Sequence, residues 1–200
     1  MSRQVQLVIK RAFDVLLALV VLTLGLPLLA GIALCVKLSS PGPVLFIQER
    51  VGRGGKPFRM FKFRSMRVAR AAQQEGLWSV EQAQRITPTG RFLRDYGLDE
   101  LPQAYNILRG EMSFIGPRAP LPARAKAYTA RERISFGMRP GLISLAVHEG
   151  RRSLSMQQRV ELHVQYVERW SLCLDASILL RSIPVVLLRR NADENGGQAG

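Results

Sequence analysis

An aspartate and a glutamate stand side by side in the string Leu98-Asp99-Glu100-Leu101-Pro102-Gln103. The chain carries 29 Lys and Arg against 15 Asp and Glu, a formal net charge of +14. An acid pair among so many cations, with Arg91, Arg94 and Arg118 near in sequence, suits chemistry on a phosphate. A carboxylate can attack phosphorus to give an aspartyl phosphate ester. Guanidinium groups can neutralise phosphoryl oxygens, and Mg²⁺ bridges carboxylate and phosphate through oxygen ligands. A helix N-terminus would add free N–H groups for the phosphate. The same residues also make an ordinary helix start: Asp is a favoured N-cap, Glu suits the first turn, and Pro102 fits there. The local sequence leaves both readings open.

The acids need a scaffold, and the composition bounds it. Two hundred residues, 47% of them hydrophobic, make one domain with an appended apolar element. The cation excess implies an anionic partner: nucleic acid, an anionic membrane surface or phosphorylated substrates. Cys35 and Cys173 form no disulfide framework or metal spacing, which favours a cytoplasm-facing protein. The apolar run over residues 15–38 is too long for a signal-peptide core and lacks its cleavage pattern. As one helix it would cover about 36 Å, enough for a hydrocarbon layer of roughly 30 Å. Gly25 and Pro27 interrupt it, and both flanks are basic: Arg3, Lys10 and Arg11 before, Arg50, Arg53, Lys56 and Arg59 after. A simple span would put one basic flank on the wrong side. A re-entrant helix, kinked and leaving by the face it entered, keeps both on one side and is the preferred reading. Arg11 and Asp14, three apart, are expected to pair on one helix face at the interface.

Val44-Leu45-Phe46-Ile47 reads as a strand, and Phe58-Arg59-Met60-Phe61-Lys62-Phe63-Arg64 as a second. Gly52, Gly54 and Gly55 mark the turn between them. The expected hairpin has apolar residues on one face and cations on the other. Residues 69–84 read as a surface helix or loop. Thr87 caps a helix through Arg94, and another begins at Asp99 or Glu100. Residues 157–170 form an amphipathic helix. Residues 176–188 are an apolar stretch broken by Pro184, too short to span.

Taken together, a series of motifs resembles the monotopic bacterial phosphoglycosyl transferases, the bacterial sugar transferase family. They run in order as Lys10-Arg11-Ala12-Phe13-Asp14, Ser40-Pro41-Gly42-Pro43-Val44-Leu45-Phe46, Gln48-Glu49-Arg50-Val51-Gly52 and Phe61-Lys62-Phe63-Arg64-Ser65-Met66. Thr87-Pro88-Thr89-Gly90-Arg91-Phe92-Leu93-Arg94, Leu98 to Gln103, Asn106-Ile107-Leu108-Arg109-Gly110-Glu111-Met112-Ser113 and Gly116-Pro117-Arg118 follow. The resemblance implies an α/β, mostly helical protein: a re-entrant membrane helix-break-helix over 1–40 with Pro27 at the break, and a small β-hairpin. A compact helical cytoplasmic domain over 41–190, with interfacial amphipathic helices, and a disordered tail over 191–200 complete it. It implies transfer of a phosphosugar from a UDP-sugar to polyprenyl phosphate, with release of UMP, at the cytoplasmic face of the bacterial inner membrane. Asp99 would be the nucleophile and would touch Mg²⁺, and Glu100 a general base or organising group. Arg91, Arg94, Arg118, Arg139, Lys62 and Arg64 would meet phosphate or nucleotide. No nucleic acid is expected, and a homo-oligomer is compatible with the family. The chain departs from the family at Leu26, which precedes Pro27 where a serine is usual, at Ala119, which interrupts a Pro-Arg-Pro pattern, and over residues 143–151.

Other residues have plainer readings. Asp175, on an apolar stretch, suits a buried structural pair. His148 and His163 lack partners at ligand spacing and suit surface or core roles. Trp78 and Trp170 suit either interfacial anchors or packing. The competing functional class is a noncatalytic, membrane-anchored basic module that binds anionic lipid or nucleic acid and has no use for an adjacent acid pair.

Overall fold

The computed structural model describes residues 1–68, 84–145 and 154–187. The stretch 69–83, His148, Trp78, most of 143–151 and the tail lie outside the described residues. The architecture is mostly helical, with two small two-stranded sheets among the described residues.

Helix α1 (Arg3–Thr23) starts at Ser2, whose hydroxyl accepts from Val5 N–H, and α2 (Leu26–Ser39) follows after a break bent by 61°. No single described helix is long and apolar enough to cross a membrane, while the bent pair together has the length and composition. The break lies at Leu24–Gly25, and Pro27 falls just after it, in the first turn of α2 where its missing N–H costs nothing. Gly25 is the residue the bend requires: a Cβ there would come 2.1 Å from Val21 O.

One face of α1 is polar and faces inward. Lys10, Asp14 and Ala18, spaced by four, are buried together. The expected Arg11–Asp14 pair does not form, because each side chain has a better partner in the domain. Arg11 donates to the last carbonyls of a later helix, Ile107 O at 2.7 Å and Leu108 O at 3.1 Å. Asp14 accepts from Phe114 N–H at 3.0 Å and the Ser113 hydroxyl at 3.1 Å. Lys10 reaches Ile115 O and Asp175. The opposite face leaves Val8, Phe13, Leu16 and Val20 exposed.

The hairpin pairs β1 (Leu45–Val51) with β2 (Pro57–Phe63) in antiparallel register, Phe46 opposite Lys62, Gln48 opposite Met60 and Arg50 opposite Phe58. The faces do not sort into apolar and cationic. Phe58 and Met60 are buried, and Lys62, two residues on, shares their side of the pleat and enters the interior. Beyond Phe63 the chain leaves the sheet, and Arg64 is buried at the end of α2, donating to Val36 O, Ser40 O and Pro41 O.

Helix α3 (Pro88–Asp95) is capped by the Thr87 hydroxyl, which accepts from Gly90 N–H at 2.9 Å. Gly90 lies against the hairpin exit: a Cβ would meet Ser65 O at 1.9 Å. A 3₁₀ turn over Leu98–Glu100, entered through left-handed Gly97, leads to the short α4 (Gln103–Leu108). Strand β3 (Ser113–Ile115) pairs in parallel with β4 (Gly141–Ile143), and α5 (Pro122–Lys126) lies between them in sequence. Helix α6 (Met156–Arg169) opens with a capping box of Ser155 and Gln158 and fills the region expected to be amphipathic. Helix α7 (Leu172–Leu187) continues through Pro184. The main core joins Ala18, Met60, Ile107, Met112, Phe114, Tyr166 and Ile178, so α1 is part of it. A second core sets Ile32 and Val36 of α2 on Phe63 and Leu93.

Candidate active site

The acid pair stands in a single 3₁₀ turn followed by a six-residue helix. Neither element is capped by a side chain. The N-cap reading of Asp99 is therefore not what the fold uses. Nor is there a long helix to supply a dipole, so side chains carry the charge balance.

Asp99 is 8% exposed. Burial, and then repulsion from Glu100, push its pKa up to about 6 against the attraction of Lys62 and Arg94. Glu100 behaves oppositely. Burial alone would raise it, but Lys62, Arg118 and Arg50 outweigh that and hold it below the ordinary carboxylate range. Its partner in direct contact is Lys62, carried in by β2. The two adjacent acids are thus differentiated by their surroundings, Glu100 neutralised by its cations and Asp99 kept sparingly solvated.

Three more cations frame the pair. Arg94, the last arginine of α3, donates to Ser65 Oγ at 2.9 Å and faces Asp99 electrostatically. Arg118 is exposed at the mouth of a small cavity that Glu100, Lys62 and Arg50 also line. The segment carrying it is pinned to β1: Arg50 Nη1 donates to Ala119 O at 3.1 Å, and Val51 N–H donates to Pro120 O at 3.0 Å. That anchoring aims Arg118 without a proline at position 119.

Of the sequence-predicted residues, Asp99, Glu100, Lys62, Arg94 and Arg118 come together. Arg91 lies exposed on α3. Arg139 is drawn elsewhere, donating to Gly110 O at 2.8 Å, and burial with the nearby cations Arg11 and Arg53 depresses its pKa. Arg64 is a structural cap on α2, with its guanidinium spent on carbonyls, so it is not available to phosphate. His163 and Trp170 are core residues, and burial beside Arg118 lowers the imidazole to about 4.

Two residues that line the cavity beside the acids were not singled out from the sequence as site candidates. Arg50 sits across the ladder from Phe58 and on the same side of the pleat as Lys62, a relation legible from hairpin register alone. Gln103 lines the cavity one turn after the acids. Among the described residues, no group of three or more His, Cys, Asp or Glu is placed to hold a metal.

The chain matches the family model described as "Bacterial sugar transferase" over residues 5–189. It is 42% identical over 195 residues to a UDP-glucose:undecaprenyl-phosphate glucose-1-phosphate transferase of Caulobacter vibrioides, covering 92% of this chain and 71% of the relative. It is 38% identical to the exopolysaccharide production protein ExoY of Rhizobium meliloti, over 92% of this chain and 87% of that protein. It is also 38% identical to a UDP-galactose-lipid carrier transferase of Erwinia amylovora, spanning 92% of this chain but 41% of that longer relative.

Proposed function

The chain belongs to the bacterial sugar transferase family, and from that membership we propose that it transfers a sugar 1-phosphate from a UDP-sugar to undecaprenyl phosphate. Asp99 Oδ attacks the sugar-bearing phosphorus, the bond from that phosphorus to UMP breaks, and UMP departs with the electron pair. A phosphate oxygen of the polyprenyl carrier then attacks the phosphosugar held on Asp99. The aspartyl–phosphorus bond breaks, and polyprenyl-diphosphate-sugar is released.

The observation that carries this reading is the contrast between the two acids. A pKa of about 6 leaves Asp99 ionised at neutral pH yet poorly stabilised by solvent, which suits an attacking oxygen. Glu100 and Lys62 hold a charge pattern beside it, and Arg94 and Arg118 supply cations for phosphoryl oxygens that gain charge during transfer. Mg²⁺ binds through one or two carboxylates together with substrate phosphates rather than in an all-protein cage. Asp99 with the diphosphate fits that donor set, and the ion would neutralise phosphate charge there.

The bent helix pair supports a re-entrant element at the inner face of the cytoplasmic membrane. The N-terminal arm is tied to the domain by Arg3, Lys10, Arg11 and Asp14, and the far end of the second arm by Arg64. With both ends fastened to one body, the apolar bend at Leu24–Gly25 dips in and returns.

The test is UMP release from a panel of UDP-sugars with undecaprenyl phosphate and Mg²⁺, with mass analysis of peptides trapped during turnover with labelled donor. A phosphosugar adduct on residue 99 is expected. Inactivity across the panel, or an adduct elsewhere, overturns the reading.

A further inference from the structure

Two side-chain amides on α4 fare differently. Asn106 is fully buried and uses both ends: its Oδ1 accepts from Phe61 N–H at 3.1 Å, and its Nδ2 donates to Arg59 O and Glu111 Oε2, each at 2.7 Å. Gln103 is 2% exposed, and its buried Nε2 has no hydrogen-bond partner. A buried donor left unmade costs about 1–3 kcal/mol. Gln103 is among the residues that line the small cavity that Glu100, Lys62, Arg50 and Arg118 share. A group entering that cavity is what it can bond.

Chemistry narrows the group. A phosphate only accepts, and Arg50, Lys62 and Arg118 already offer it donors. An amide is donor and acceptor at once, a pattern that a hydroxyl matches. Reaction geometry narrows it further. In an in-line displacement the entering and leaving oxygens lie on opposite sides of phosphorus, so UMP points away from Asp99. The sugar oxygen is equatorial, on the flank of the reacting phosphorus. The sugar is bonded to the reacting phosphorus through one oxygen, whereas the ribose lies beyond the second phosphorus, so the sugar hydroxyls are the nearer ones to a residue one turn of chain from Asp99. We infer that the Gln103 amide hydrogen-bonds a ring hydroxyl of the donor sugar, as a binding residue for the sugar and not for the nucleotide. The inference rests on the transfer reaction proposed above.

Gln103→Met keeps the side chain's shape and removes both polar atoms. The full chain is assayed with undecaprenyl phosphate, using the best UDP-sugar of the wild type and the monodeoxy versions of that donor. UMP inhibition and thermal unfolding are read alongside. The thermal midpoint is expected not to fall, because no internal hydrogen bond is lost, and the UMP inhibition constant to stay unchanged. The kcat/KM for the parent donor drops about tenfold. For one monodeoxy donor the substitution costs nothing more, since the hydroxyl it addressed is already gone. The inference is overturned by an unchanged kcat/KM, by UMP inhibition that weakens in step with the donor, by equal losses on every deoxy donor, or by a lowered midpoint. A wild type that releases UMP from no UDP-sugar removes the transfer reading as well, whereas an active wild type with equal losses removes only the role of Gln103.

Discussion

Lys10 Nζ lies 2.6 Å from Asp175 Oδ2, joining α1 to α7, the last of the described helices. Both side chains are about nine-tenths buried, and the carboxylate also accepts from the Tyr166 hydroxyl at 2.7 Å and the Trp170 indole N–H at 3.1 Å. Burial, and then the neighbouring Asp175 carboxylate, hold the Tyr166 phenol protonated far above its ordinary range.

Breaking this pair strands a charge in the core. Lys10→Met or Asp175→Asn alone is predicted to cost about 3–5 kcal/mol, and the double replacement by apolar residues less than the sum. Unfolding of the purified protein in detergent, followed by near-ultraviolet circular dichroism, measures it. Single variants as stable as wild type would show that the pair contributes nothing.

Asp99 sets a second prediction. As the proposed nucleophile, its carboxylate would have to be ionised to attack, so kcat/KM should fall below a midpoint near pH 6, as one ionisation. The folded pKa of about 6 is above the ordinary carboxylate value, so the fold binds a proton the unfolded chain does not. Stability therefore rises as pH drops from about 6 toward 4. Asp99→Asn should remove that dependence and raise the thermal midpoint while lowering turnover at least about a thousandfold. Retained turnover in this variant ends the nucleophile assignment.

Glu100→Gln separates the two acids. It removes the repulsion on Asp99 and frees Lys62 to act on it, so the acid limb of the pH profile should move to lower pH. Lys62→Met has the opposite sign: Asp99 loses an attracting charge, and the limb moves above pH 6. Shifts in the reverse directions, read from the same pH profiles, contradict the charge layout described for the site.

Arg64 should behave as a structural residue. Arg64→Met leaves the carbonyls of Val36, Ser40 and Pro41 without their donor and is expected to destabilise the protein by about 1–3 kcal/mol. The KM for UDP-sugar per folded molecule stays unchanged. A raised KM with unaltered stability would return Arg64 to the phosphate site.

The bend has a topological readout. Engineered cysteines before Arg11 and after Ser40 should both react with an impermeant thiol reagent from the cytoplasmic side only. Gly25→Val, which drives a side chain into Val21 O, should straighten or unfold the bend and lower the activity recovered in membranes. Labelling from opposite sides would mean a spanning helix.

Local pattern carried part of this architecture. The hairpin, the helix behind Thr87 and the amphipathic α6 follow from periodicity and caps, each set by residues a few positions apart. The acid pair was legible as a chemical candidate because its residues are adjacent. Residues whose roles depend on distant partners were not. Arg64 reads as one more strand cation, and only the exit from the sheet after Phe63 turns it into α2. Arg11 and Asp14 are spaced to pair, but tertiary partners outbid each other's charge. Arg139 is diverted by a single carbonyl, and Gln103 gives no signal until its neighbours show that nothing bonds it.

The tethering of both arms of the bent pair has a kinetic corollary. In the re-entrant arrangement proposed above, a polyprenyl tail keeps its phosphate within a thin layer at the bilayer surface, and the two fastened arms would hold residue 99 at one elevation above that layer. Encounter with the carrier then becomes a search in two dimensions. Turnover should track the mole fraction of carrier in the bilayer, and diluting the vesicles at fixed lipid composition should leave it untouched.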